Sequence, residues 1–154
     1  MQNLKKEILK LTNKIVTFKR IAGNTIILYF DGEPGGINTK SIWIDPSWYY
    51  ERDNRYIVGS QDFPWKQEDG QSDEEYNKNF EEICNLTNNL IGAKIIKVEI
   101  EKSSNSICLF LNNKQVVRNM AVSKDDEVWI YRDHSKKNTI LAFVDRLENE
   151  KGVT

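Results

Sequence analysis

The sequence predicts an α+β fold in which two similar halves, each a helix followed by an antiparallel meander, form one compact domain. Three observations lead there. Only two segments carry the apolar period of a surface helix: Leu4, Ile8 and Leu11, and then Tyr76, Phe80, Ile83, Leu86 and Leu90. Most of the remainder is short β-branched and aromatic runs divided by Gly, Asn, Asp and Pro, the pattern of antiparallel strands. Shifting the chain by about 80 positions also lays Lys14-Ile15-Val16 on Lys94-Ile95-Ile96, Ile27 on Ile107, Phe30 on Phe110 and Arg52-Asp53 on Arg132-Asp133. Trp48 and Trp129 fall one position out of this register, which a single-residue slip would restore.

In chain order, Asn3 is placed to cap a helix over residues 4–12. The alternation of residues 14–21 reads as a strand, Ala22-Gly23-Asn24 as a turn, and Thr25 to Phe30 as the returning strand of a hairpin. Asp31 to Gly36, with three glycines and a proline, is a loop. Ser41 to Ile44 is a third strand ended by Asp45-Pro46, and short strands flank Asp53-Asn54. Residues 59–72 carry no period and read as a surface loop linking halves of about 1–60 and 73–147. Ser72 and Glu75 have the spacing of a capping box, which opens a helix over 73–90 that Gly92 stops. Strands follow over about 93–101, 106–111, 115–121, 127–132 and 138–144. The domain spans 1–147, and residues 148–154 carry no pattern and are expected to fray.

With 154 residues the chain has the length of one domain that needs no disulfide or metal to hold its core. A net charge of −1 speaks against a nucleic-acid partner, whose footprint is basic. No apolar run is long enough to cross a membrane, and the first residues lack the pattern of a signal peptide. The expected location is cytoplasmic, with Cys84 in a helix and Cys108 in a strand both reduced. The single histidine, His134, stands in Arg132-Asp133-His134-Ser135, where side chains adjacent in sequence do not face one another as a triad does. Asp31, Glu33 and Asp45 are turn residues first. No glycine pattern forms a phosphate cradle, so the reading is of no catalytic residue, no metal and no cofactor.

One segment departs from this plainness. From Asp62 to Glu82 eight acids stand against Lys66 and Lys78, beside the aromatic pair of Asp62-Phe63-Pro64-Trp65. Asp73, Glu74 and Glu75 are accounted for by the helix dipole at a first turn. The remaining acids and aromatics suit a patch that steers and anchors a basic protein partner, with Asp62, Phe63, Trp65, Glu68, Asp69, Asp73 and Glu74 as candidate contacts.

The order of helix, Trp-rich meander, second helix and a second meander opening on Leu90-Ile91-Gly92-Ala93-Lys94-Ile95 resembles small bacterial immunity-type proteins that accompany polymorphic toxins. That resemblance implies neutralisation of a cognate toxin domain by occlusion. Two other classes stay open: a homo-oligomer such as a homodimer, with a structural or accessory role, and a small enzyme relying on carboxylates or the two cysteines.

Overall fold

Strands that alternate apolar and polar residues must lay one face on a core, and two such sheets facing each other satisfy both. The computed structural model, which describes residues 2–152, has this form. Its elements are α1 (Gln2–Leu9), β1 (Val16–Ala22), β2 (Thr25–Phe30), β3 (Lys40–Ile44), β4 (Trp48–Arg52), β5 (Arg55–Gly59), α2 (Asp73–Asn85), β6 (Ile95–Ile100), β7 (Ile107–Leu111), β8 (Gln115–Asn119), β9 (Trp129–Asp133), β10 (Asn138–Ala142) and β11 (Leu147–Lys151). Mixed helix and antiparallel sheet is therefore the class observed.

The strands make a six-stranded sheet, in the order β1-β2-β3-β9-β10-β11, and a five-stranded sheet, in the order β5-β4-β8-β7-β6. This corrects the expectation of a self-contained meander in each half. After β3 the chain leaves its sheet, and β4 and β5 join the other one, where β4 pairs with β8. Reciprocally, β9 to β11 leave β8 and pair onto β3. Short linkers, residues 45–47 and 120–128, carry the two crossings.

Side chains of both sheets enter one core cluster, including Leu28, Ile42, Trp129 and Ile140 from the larger and Trp48, Tyr50, Leu109 and Val117 from the smaller. The large buried side chains with polar tips find partners there, as a low-dielectric interior requires. The indole of Trp48 donates to the Asn24 carbonyl at 2.6 Å, and that of Trp129 to the Asn105 carbonyl at 2.7 Å. Tyr50 donates its hydroxyl to Gln115 Oε1 at 2.6 Å. Asn119 spans the core edge, accepting from Ile107 N and donating to the Val128 carbonyl, each at 2.7 Å.

The entries of β1 and β6 are sewn together by an isolated antiparallel bridge between Ile15 and Lys94. Asn13 N donates to the Ile95 carbonyl, Ile95 N to the Lys14 carbonyl and Gly92 N to the Val16 carbonyl, each at 2.8 Å. Ile8 and Leu11 plug this end of the core from the α1 side, while α2 lays Phe80, Ile83 and Cys84 against the cluster without burying any residue fully.

Two further expectations need correction. The second helix ends at Asn85 rather than 90, because Thr87 turns its hydroxyl back to the Cys84 carbonyl at 2.7 Å and Asn88–Leu90 form a separate 3-10 turn. Residues 147–151 do not fray: they are β11, paired residue for residue with β10 from Leu147–Ala142 to Lys151–Asn138. Gly152 still donates to the Lys137 carbonyl at 3.0 Å, and the last two residues of the expected tail, 153–154, lie outside the described residues.

Candidate functional site

The loop between β5 and α2 begins under constraint. A Cβ on Gly59 would lie 2.8 Å from the Trp48 carbonyl, so only glycine lets β5 approach β4 there. Ser60–Asp62 then form a 3-10 turn, and Asp62 reaches back: its Oδ2 accepts from Gly59 N at 2.7 Å and from the Tyr56 hydroxyl. Burial, followed by the Asp62 carboxylate beside it, pushes the Tyr56 phenol up to about 12.

The next three residues divide the aromatic pair. Phe63 is 2% exposed, with its ring 6.0 Å from that of Trp48 and 5.3 Å from that of Phe80. It is a core anchor that pins the loop and α2 to the sheets, so it lines the groove from beneath with almost no exposed surface of its own. Trp65, across Pro64, is 67% exposed. The Tyr76 hydroxyl donates to the Pro64 carbonyl at 3.1 Å, so the backbone carrying Trp65 is tied to α2.

Between the loop and α2 runs an open groove. Asp62, Phe63 and Trp65 form one wall, and Asn79, Glu82, Ile83 and Leu86 the other. Positions 79, 82, 83 and 86 follow the helical spacing of one face. Leu86 is 46% exposed, so the apolar stripe of α2 outruns the core that half-buries Phe80 and Ile83. Glu82, Ile83 and Leu86 were not among the expected contacts, because a stripe of that period reads as core-facing. Lys19 clamps the C-terminal end of α2 by donating to the Cys84 carbonyl at 2.6 Å, and burial lowers its pKa.

The remaining acidic candidates lie beside the groove rather than in it. Glu68 and Asp69 line a separate polar hollow with Gln71, Glu75 and Lys78. Asp73 and Glu74 are exposed on the first turn of α2. Ser72 and Glu75 close the capping box, with Glu75 N donating to Ser72 Oγ at 3.2 Å and Ser72 N to Glu75 Oε2 at 3.0 Å.

The reactive candidates are engaged elsewhere. Ser135 donates to Asp133 Oδ1 at 2.5 Å, and the His134 amide donates to the Thr39 carbonyl. Asp31 is held between Lys14 and Lys40, each 2.7 Å away, and Asp45 accepts from Thr25 at 2.5 Å. Cys84 and Cys108 are free, half-buried thiols whose pKa values burial raises, that of Cys108 to about 11, so both are protonated at neutral pH. Among the described residues no group of His, Cys, Asp and Glu has the arrangement to hold a metal ion, and no helix is long and apolar enough to cross a membrane. Compared with family models, curated proteins and solved structures, the chain matches none.

Proposed function

We propose that the chain is a non-catalytic, intracellular binding module of the immunity type, which occludes a toxin domain by gripping a segment of it in the groove between Trp65 and α2. The observation that carries this reading is the pairing of a two-thirds exposed Trp65 with Leu86 across a groove whose rim bears Asp62 and Glu82. An exposed indole on a tethered backbone costs little further ordering on binding and offers a large apolar contact. The acidic rim selects basic segments and speeds their encounter. Protonated thiols and carboxylates committed to lysine or threonine partners leave few groups for catalysis.

The halves are read as two copies of one unit that have exchanged strands. Three pairs of features support it. Both β1 and β6 open with a register break, at Val16/Phe18 and Ile95/Lys97. Trp48 and Trp129 open β4 and β9, and each donates its indole N–H to an asparagine carbonyl. The crossing pairs β3–β9 and β8–β4 occupy the same place in the two sheets.

The test is co-expression with the product of the neighbouring upstream gene. Purification of a complex and protection of cells are expected, with Trp65→Ala and Leu86→Glu each weakening binding by about tenfold or more. A complex indifferent to both substitutions removes the groove; no complex and no protection remove the immunity reading.

A further inference from the structure

A second surface is independent of the groove and goes beyond the reading above. Ladder pairing lines up Arg20, Ile27, Trp43, Ile130, Leu141 and Glu148 in one row across all six strands of the larger sheet. Residues alternate to these, such as Leu28, Ile42 and Trp129, belong to the core cluster, and none of the row does. Leu4 and Ile8 of α1 and Phe80, Ile83 and Cys84 of α2 pack on the core cluster, on the side opposite the row, so the row lies on the outer face. Trp43 is held on it by two contacts: its indole donates to Ser41 Oγ at 3.1 Å, and the Arg132 guanidinium sits 4.4 Å above the ring.

The row's charges are separated by its whole width, positive at β1 and negative at β11, with half-buried Trp43, Ile130 and Leu141 between them and Ile27 already buried within the chain. That order is self-complementary. A two-fold axis parallel to the strands, passing between β3 and β9, places Arg20 opposite Glu148 of a second copy, Ile27 opposite Leu141 and Trp43 opposite Ile130. We propose that this face is a homodimer interface, with two copies packing their six-stranded sheets face to face. Within one chain Glu148 is bonded to Arg146 at 2.6 Å, and in the dimer it would sit between that arginine and Arg20 of the other copy. Six strands about 4.8 Å apart, five residues long at about 3.4 Å each, give a footprint of about 400 Å² per copy, about 800 Å² in all, the size of a weak, transient dimer.

Sedimentation equilibrium of the full chain between about 5 and 200 µM tests it, with circular dichroism confirming that each variant is folded. Wild type passes from monomer to dimer over this range. Arg20→Glu and Glu148→Arg each weaken the dimer by about tenfold, since each sets like charges together twice. An equimolar mixture of the two single variants, and the double variant R20E/E148R, both regain it. Ile130→Lys abolishes it, while Trp65→Ala in the groove leaves it unchanged. A wild type that stays monomeric throughout, a dimer insensitive to Ile130→Lys, or a charge swap that fails to restore association would each overturn the proposal.

Discussion

The outer faces of the two sheets handle charge in opposite ways. On the five-stranded sheet, Glu99, Cys108, Arg118 and Tyr49 form one row and Lys97, Phe110, Val116 and Glu51 the next. Its charges are answered locally: Lys97 with Glu99 at 2.5 Å and Arg118 with Glu51 at 3.6 Å. Lys97 and Arg118 also flank the Phe110 ring, each 5.6 Å from its centroid. On the six-stranded sheet the corresponding row holds Ile27, Trp43, Ile130 and Leu141 and sends its charges to the two edges. A face whose ion pairs close within one chain is finished as a solvent surface. The larger sheet's row instead carries Arg20 at one edge and Glu148, paired with Arg146, at the other, with the Arg132 guanidinium over Trp43 between them.

The comparison can be strained at several depths. The deepest cut is Trp129→Ala, on the inner side of the same strand that presents Ile130. A fully buried indole is lost and the Asn105 carbonyl is left without its donor, so unfolding in urea should lose about 3–5 kcal/mol. Next comes Trp43→Ala on the outer side. The cross-strand neighbour of buried Ile27 and the ring under Arg132 go, for about 1–2 kcal/mol in the same measurement made at low protein concentration. Smaller again is the capping substitution Ser72→Ala, about 1 kcal/mol, which loosens α2 and the groove wall but neither sheet face.

Acid should then touch the end of the six-stranded sheet through Asp31. Burial works against its ionisation, but the ammonium groups of Lys14 and Lys40 outweigh that and hold its carboxyl below the usual carboxylate range. Since the folded value is the lower one, this stabilisation is complete above about pH 4 and is lost as pH falls through the folded value. Asp31→Asn should flatten that part of a stability-against-pH curve. The smallest effect belongs to the five-stranded face: Lys97→Ala breaks an exposed ion pair and should cost under about 0.5 kcal/mol, and less still in high salt. A larger loss there would erase the contrast between the faces.

Most elements were legible because their periods are local. Thr25 to Phe30 is a strand in both readings, and Ser72 with Glu75 marks the start of α2 by chemistry three residues long. The strand exchange was not legible, since alternation shows which face of β3 is buried but not that β9, rather than β4, lies beside it. Nor was β11: Leu147-Glu148-Asn149-Glu150-Lys151 has one apolar residue, as suits a charged edge strand whose pairing rests on its backbone. At the groove, the sequence put Phe63 and Trp65 together as an aromatic pair. Their division into anchor and exposed surface depends on Trp48 and Phe80, which only the fold brings near. The outer row did leave a trace. Ile26-Ile27-Leu28-Tyr29 does not alternate, and a strand apolar on both sides has two faces to cover.

The crossing after β3 bears on how the chain is made. When residues 1–60 have left the ribosome, β3 and β4 each present a ladder of unpaired amides and carbonyls, and their partners β9 and β8 have yet to be synthesised. Neither sheet can be completed until the second half emerges, so the nascent N-terminal half is a pair of open edges suited to meeting another copy of itself. Rapid arrival of β8 and β9 then guards against misassembly between neighbouring chains on one message. A translational pause anywhere in residues 60–110 should be the point at which this protein aggregates.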